Sequence, residues 1–167
     1  MGRVVEAVSG LRLDAYCDAH IFGPLGMDDT TFQPNPDQIA RLARPHTRTP
    51  EGLVAAPITL PPEDPEMLLG GSGLLGTVGD YLRFTRMLLD RGQFDGERIL
   101  AAETVDAMYA DQLESTTTTG ERRFSPDVAS ELAAFVREDS GWGLSFQIHR
   151  QGRPNRRAPG SVSLTGA

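Results

Sequence analysis

Apolar residues in the middle of the chain recur at the spacing of an α-helix. The stretch begins with glycines around Ser72 and ends at Gly92, a residue suited to the left-handed conformation that closes many helices. Thr77 can accept a hydrogen bond from a helix-start N–H, and Asp80 stands at the fourth position of a capping box. The pattern therefore predicts a helix over residues 77–91, whose wide apolar face is formed by Tyr81, Leu82, Phe84, Met87, Leu88 and Leu89.

Helical spacing continues on both sides of that stretch. Residues 2–10 predict a short helix closed by glycine, and a second helix carries Cys17. Residues 102–112 predict another helix, with Val105, Met108 and Tyr109 on its inner side. Ser125 and Pro126 together mark a further helix start. A tight turn is predicted at residues 95–98, and an exposed loop at residues 114–123.

Two parts of the chain favour strands over helices. Residues 33–69 carry eight of the twelve prolines, so short strands joined by ordered loops are predicted there, with Val54 and Ile58 as buried anchors. Near the end, Leu144, Phe146 and Ile148 alternate with polar residues, and Val162 and Leu164 alternate again. This period of two predicts two antiparallel strands at the C-terminal edge.

Several of these blocks, in this order, resemble those of a known family. They are Gly-Arg-Val-Val-Glu at residues 2–6, the glycine-rich entry at 70–76, Gly-Trp-Gly at 141–143 and Leu-Thr-Gly at 164–166. The chain resembles the serine hydrolases of the class C β-lactamase and penicillin-binding-protein superfamily, in particular the esterase-like branch. The resemblance covers nearly the whole chain.

The resemblance implies an α/β (α+β) fold, namely a partial β-lactamase/transpeptidase-like fold in which antiparallel strands at the C-terminal edge pack with helices. Residues 1–167 are then one partial domain. It comprises helices at 1–32, a proline-rich segment covering the cleft at 33–69, a helical region at 70–137 and two antiparallel strands within 141–167.

Catalysis in this superfamily requires a Ser-x-x-Lys box, and the chain cannot supply one. All sixteen basic residues are arginine, and a guanidinium stays protonated, so it cannot accept the serine proton. The Tyr-x-Asn box is absent too, since Asp18, Arg83 and Asp111 lie two residues after the three tyrosines. In the family that box precedes the Gly-Arg-Val-Val-Glu helix. We therefore expect the nucleophilic serine, the lysine and the tyrosine to precede Met1, so that no catalytic residue lies in this chain.

The third box of the family is present in altered form. Leu164 stands where β-lactamases carry lysine, followed by Thr165 and Gly166. The resemblance implies that the backbone N–H of the next residue, Ala167, is one of two donors to the oxyanion. Leucine at the first position of this box argues against recognition of a penicillin carboxylate. It argues less against acyl transfer. Because the attacking groups are missing, we expect this chain alone to be inactive.

Four residues are candidates for the pocket wall: Gly71, Ser72, Trp142 and Leu164. Three of them, Gly71, Ser72 and Trp142, also have a plainer interpretation. The glycine cluster is also typical of a flexible turn, and Trp142 between two glycines is also typical of a packing residue. Ser72 and Ser145 lack the Gly-x-Ser-x-Gly context of a nucleophile.

The composition argues against some classes of binding partner but does not identify one. A net charge of −7 and a pI near 4.9 argue against nucleic acid or an anionic membrane as partner. His20, His46 and His149 lack metal-ligand spacing, so no metal site is expected. The family resemblance likewise implies a reaction without a cofactor. No apolar run reaches the ~18–20 residues of a membrane span, and the working expectation is a soluble, cytoplasmic chain of open oligomeric state.

The function expected from the resemblance is that of a serine hydrolase fragment, esterase- or β-lactamase-like, whose full-length parent cleaves a small ester or amide through an acyl-serine intermediate. The alternative is a non-catalytic binding or interaction module derived from the same fold. A reactive serine in the isolated chain would distinguish the two.

Overall fold

A computed structural model of the chain describes residues 1–63, 65–112, 140–151 and 158–163. Its contacts divide the chain into two compact units, Met1–Ile99 and Leu100–Ala167. The predicted loop at residues 114–123, the helix start at Ser125 and the third box at residues 164–167 lie outside the described residues.

Short helices open the first unit. They are α1 (Gly2–Ser9), α2 (Leu13–Cys17), a π-helical turn (Asp18–Phe22) and α3 (Gly23–Leu25). The predicted end of α1 is confirmed, since Gly10 adopts φ 72° and its N–H donates to the Glu6 carbonyl at 2.9 Å. Glycine suits this position because a left-handed conformation strains other residues.

The proline-rich segment contains the predicted strands and one helix that was not predicted. Strands β1 (His46–Thr49) and β2 (Gly52–Ala55) form an antiparallel hairpin. Helix α4 (Pro36–Ala40) precedes them, with a capping box between Asn35 and Gln38. Its proline sits at the first helical position, where the missing N–H has no intrahelical partner to lose. The prediction that regular helix is improbable in this segment was wrong at this point.

The predicted anchors of the same segment are also wrong. Val54 is 53% exposed and Ile58 39% exposed. Among the described residues of this segment, Leu68 is the buried one, and it packs with Leu13 and Phe32 in a core cluster. In β2 all four residues are exposed, so the hairpin has no buried face that would accept Val54.

The central helix forms as predicted and ends slightly earlier. Helix α5 spans Val78–Leu89, and the Thr77 hydroxyl accepts from the Asp80 N–H at 3.2 Å. Gly92, with φ 90°, donates its N–H to the Met87 carbonyl at 2.9 Å. Strands β3 (Gln93–Phe94) and β4 (Glu97–Arg98) then pair across the predicted tight turn. Met87 on α5 is fully buried.

The second unit combines one described helix with a small sheet. Helix α6 (Ala102–Tyr109) buries Val105. Strands β5 (Ser140–Trp142), β6 (Gln147–His149) and β7 (Val162–Ser163) form an antiparallel sheet in the order β5-β6-β7. The sequence predicted two strands here, and the structure has three.

The difference arises at Ser145. Its φ of 77° is left-handed, and the Gly143 N–H donates to the Phe146 carbonyl at 2.8 Å, so the chain turns where period two predicted a continuous strand. Phe146 packs edge-on against the Tyr109 ring of α6, with ring centroids 6.0 Å apart. The alternation of residues 144–148 thus spans a turn and the start of β6, not one continuous strand.

Candidate functional site

Trp142 lies in a row of residues that crosses the sheet of the second unit. It pairs with Gln147 on β6, and Gln147 pairs with Ser163 on β7. Residues directly opposite one another on neighbouring strands share a face of the sheet. Trp142 is half-buried and Gln147 is only 3% exposed. Strand β7, which immediately precedes residue 164, is therefore part of the sheet that carries Trp142.

Asp111, just after α6, holds the backbone at Trp142. Its Oδ1 accepts from the Trp142 N–H at 3.1 Å, and its Oδ2 accepts from Arg150 Nε at 2.9 Å. The Trp142 carbonyl accepts from the Gln112 N–H at 2.7 Å. The Asp111 side chain is 14% exposed, so the ion pair with Arg150 is partly shielded from water. Sequence reasoning missed Asp111, because nothing local distinguishes it from other loop aspartates.

Replacing Asp111 with alanine is expected to lower the unfolding free energy of the second unit by about 2 kcal/mol, since it removes the acceptor of the Trp142 N–H and of Arg150. Asp111→Asn keeps an acceptor and is expected to cost about half as much. Urea denaturation followed by the fluorescence of Trp142, the chain's only tryptophan, measures both. Equal costs for the two variants would contradict the role given to the acceptor.

His149 is held across the strands rather than solvated. Its Nε2 lies 2.9 Å from the Ser163 Oγ. The His149 N–H donates to the Ser161 carbonyl at 2.9 Å, and its carbonyl accepts from Gly160 at 2.8 Å. These bonds fix the end of β6 to the strand that immediately precedes Leu164. Period two alone does not show which residue pairs across the hairpin, so the sequence did not indicate this contact of His149.

The glycine-rich loop belongs to the first unit. Gly71 and Ser72 are both exposed, and the Ser72 N–H donates to the Leu69 carbonyl at 3.3 Å. Further along, Leu75 and Thr31 exchange backbone hydrogen bonds at 2.8 and 2.9 Å. That bridge attaches the loop to Thr31, in the segment that follows α3.

A cavity of about 700 Å³ lies beside this loop. Its wall is almost entirely apolar and comes from α2, the π-helical turn, residues 27–32, the end of the glycine-rich loop and the start of α5. It comprises Leu13, Cys17, Ile21, Phe22, Met27, Thr30, Phe32, Gly70, Leu74, Leu75, Gly76, Thr77, Val78, Tyr81 and Phe84. Gly71 and Ser72 are not among these residues. No sequence signal indicated the cavity, because its wall is assembled from segments that lie far apart in the chain.

Burial raises the pKa of the Cys17 thiol in this wall, and the nearby Asp14 carboxylate raises it further. A thiol with a raised pKa is a weaker nucleophile at neutral pH. In the described part of the chain, no group of three or more histidine, cysteine, aspartate or glutamate side chains is placed to hold a metal ion. The helices described there are also too short or too polar to cross a membrane.

Comparison with known proteins decides the family. The sequence model of the Beta-lactamase family matches residues 1–166. The chain belongs to the β-lactamase family. The superfamily inferred from the motif order is thereby confirmed.

Relatives of this β-lactamase-family chain include enzymes named for acyl transfer and ester hydrolysis. Monacolin J acid methylbutanoyltransferase from Aspergillus terreus is 35% identical over 117 residues, which are 68% of this chain and 27% of that protein. Lovastatin esterase from Penicillium rubens is 33% identical over 144 residues, 81% of this chain and 34% of that protein. The chain thus spans about a third or less of the length of these relatives.

A solved structure extends the likeness to the fold. Simvastatin synthase (LovD) from Aspergillus terreus, in its LovD6 mutant form, matches with a TM-score of 0.73 and 27% identity. The match covers 99% of this chain and 42% of that one. The predicted fold class, mixed helices and antiparallel strands of β-lactamase/transpeptidase type with partial coverage, is confirmed.

Proposed function

We propose that this chain forms part of a serine acyl-transfer enzyme, in which it supplies the third-box strand and part of the pocket wall but not the attacking groups. The observation that carries the proposal is the family match over residues 1–166. Relatives named as a methylbutanoyltransferase and an esterase support an acyl ester as the substrate of the whole protein.

In the proposed reaction the serine oxygen bonds to the acyl carbon, and the alcohol leaves with the proton that the serine gave up to its base. Water or a second alcohol then takes the acyl group and returns the proton, which restores the serine. Neither step requires a metal or a cofactor. Whether the whole protein hydrolyses or transfers depends on which acceptor reaches the acyl-serine.

Within this scheme Thr165, Gly166 and Ala167 are assigned to the third box, and the Ala167 N–H to the oxyanion. A backbone donor to a developing oxyanion contributes about 3 kcal/mol to transition-state stabilisation. Leu164, in place of a lysine, offers hydrocarbon and no charge. The substrate group that it faces is therefore expected to be uncharged, unlike a penicillin carboxylate. Trp142, Gly71 and Ser72 remain assigned to the pocket wall.

A second candidate is a non-catalytic binding module with the same fold. The absence of lysine at every one of the 167 positions favours it, because no family base is present in this chain. The two candidates differ in what happens when the missing boxes are supplied: an enzyme fragment gains activity, whereas a binding module does not.

A fluorophosphonate probe together with a chromogenic ester and a chromogenic β-lactam tests the proposal. We expect no labelling of the chain above its heat-denatured control, and labelling at one serine once it is joined to encoded upstream polypeptide that carries Ser-x-x-Lys and Tyr-x-Asn. Specific labelling of the chain alone would overturn the assignment, and Ser72→Ala and Ser145→Ala would then test the two serines considered above. An extended protein that stays inert would favour the binding module.

A further inference from the structure

Two arginine side chains of helix α5 lie against the same aromatic ring. The Arg83 Cζ is 5.8 Å from the centroid of the Phe94 ring, and the Arg86 Cζ is 5.3 Å from it. Both distances are within the ~6 Å at which a guanidinium is attracted to an aromatic face. Two positive charges are therefore held close together, although like charges repel each other.

The ring that holds the two arginines has a fixed place beside the helix. Where the chain leaves α5, the Gly92 N–H donates to the Met87 carbonyl at 2.9 Å. Phe94 then pairs with Glu97 across the β3–β4 hairpin and is half-buried. The two guanidiniums thus lie between a helix and a hairpin that are joined by hydrogen bonds.

Most N–H donors of these two arginines are not used within the described part of the chain. The Arg83 Nη1 donates to the Leu25 carbonyl at 3.4 Å, and neither guanidinium forms an ion pair with a described carboxylate. Each guanidinium carries five N–H donors in a fixed fork. The pair therefore offers two positive charges and several donors to a ligand.

The two arginines line a pocket of about 610 Å³ in the first unit, together with Leu82, Phe94, Asp90 and Asp95. This volume is within the ~300–1,000 Å³ of sites for small organic molecules and exceeds what a bare inorganic ion requires. Neither aspartate forms an ion pair with a described side chain. Their carboxylates can therefore accept hydrogen bonds from the hydroxyl groups of a ligand.

We propose that this pocket binds an organic phosphate monoester that carries hydroxyl groups. A phosphate monoester has three acceptor oxygens and nearly two negative charges at neutral pH, which matches two guanidiniums. A single carboxylate is satisfied by one guanidinium fork. Asp90 and Asp95 disfavour a polyanion and accept from the hydroxyl groups of the ligand. The inference does not rest on the proposed acyl-transfer function.

Titration of the full chain with glycerol phosphate tests the proposal. Binding would be followed by calorimetry and by phosphorus NMR of the ligand, so that a small enthalpy is not mistaken for the absence of binding. We expect a Kd of about 1 mM or lower at low ionic strength. Inorganic phosphate, which lacks the hydroxyl-bearing part, should bind at least tenfold more weakly. Added sodium chloride should weaken the binding, because salt screens exposed charges.

Other ligand chemistries are distinguished in the same titration. Inorganic phosphate that binds as tightly as glycerol phosphate would overturn the proposal in favour of a simple anion site. Succinate that displaces glycerol phosphate at equal concentration would overturn it in favour of a carboxylate site. The absence of binding by all three compounds would overturn the site altogether.

Matched arginine variants locate the contact. Arg86→Gln removes one of the two charges, and we expect it to raise the Kd of glycerol phosphate tenfold or more. Arg86→Lys keeps the charge but loses the fork, and should raise the Kd by a smaller factor. Arg48→Gln makes the same charge change on β1, outside the pocket wall, and should leave the Kd unchanged.

These substitutions should leave the fold intact, because Arg86 and Arg48 are both exposed, and thermal unfolding followed by circular dichroism checks this. Equal Kd values for Arg86→Gln and Arg48→Gln would contradict the proposed location. A Kd for Arg86→Lys as high as that for Arg86→Gln remains consistent with it, because the fork and not the charge alone would then hold the phosphate.

Discussion

Replacing Gly143 with alanine is expected to destabilise the second unit by about 3 kcal/mol or more. A Cβ at this position would overlap the carbonyl oxygen of Met108 and lie 3.0 Å from its carbon and 3.3 Å from the Ala110 oxygen. The obstacle is backbone at the end of α6, which cannot swing aside as a flexible side chain can. Forced overpacking of this kind costs ~1–3 kcal/mol in ordinary cores, and a clash with fixed backbone belongs at or above the upper end of that range.

The Met108 carbonyl also opposes a backbone shift that would relieve this clash. Besides its closeness to Gly143, the Met108 oxygen accepts from the Leu144 N–H at 3.1 Å. Moving residue 143 away to make room for a methyl group would break that bond. It would also strain the neighbouring bond between the Trp142 N–H and Asp111. The substitution therefore loses hydrogen bonds whichever way the backbone shifts.

Urea denaturation followed by Trp142 fluorescence measures this effect, and Leu144→Ala serves as its control. Leu144 is 49% exposed, so shortening it is expected to cost less than about 1 kcal/mol, although it lies next to the same carbonyl contact. Far-UV circular dichroism, which does not depend on the tryptophan environment, should rank the stabilities of the two variants in the same order. A midpoint for Gly143→Ala that matches that of Leu144→Ala would show that Gly143 has room for a side chain.

The features that the sequence predicted well are those decided by a few neighbouring residues. Thr77 caps α5 through a bond to a residue three positions away, and Gly10 and Gly92 close their helices through left-handed backbone. Such bonds form within a single turn, so the residue type at one position is enough to indicate them.

The features that were missed depend on distant parts of the chain. Ser145 adopts a left-handed conformation in a turn that bonds to Met108 and packs on Tyr109 of α6, so alternation alone indicated one strand instead of two. Valine is a typical core residue, but Val54 lies in a hairpin that presents both faces to solvent. The family was evident from motif order, whereas the cavity arises only when α2, the glycine-rich loop and α5 come together.

Asp80 makes one hydrogen bond to a neighbouring residue, which the sequence predicted, and two to distant residues, which it did not. Its backbone N–H donates to the Thr77 hydroxyl that caps α5, as predicted. Its carboxylate does not complete the capping box. The Oδ2 instead accepts from the Asp29 N–H and the Thr30 hydroxyl, each at 2.9 Å, and the residue is 9% exposed. Asp80 therefore joins the start of α5 to a segment some fifty residues earlier, beside the apolar cavity.

Asp80→Ala is expected to lower the unfolding free energy of the first unit by about 3 kcal/mol. The change leaves two donors without their acceptor, and a hydrogen bond to a charged group contributes ~1.5–3 kcal/mol. It also removes a negative charge from the first turn of α5, where the helix dipole favours one. Loss of helical circular dichroism in urea, with hydrogen exchange at Asp29 and Thr30, measures the effect.

Two further variants separate these contributions. Asp80→Asn retains an oxygen that can accept both bonds, so we expect it to cost about 1 kcal/mol, mainly through the lost charge. Asp90→Ala removes an exposed carboxylate just beyond the other end of α5, where the dipole disfavours negative charge, and is expected to leave stability unchanged or slightly higher. If Asp80→Asn proved as damaging as Asp80→Ala, the charge and not the link to Asp29 and Thr30 would be what holds α5 in place.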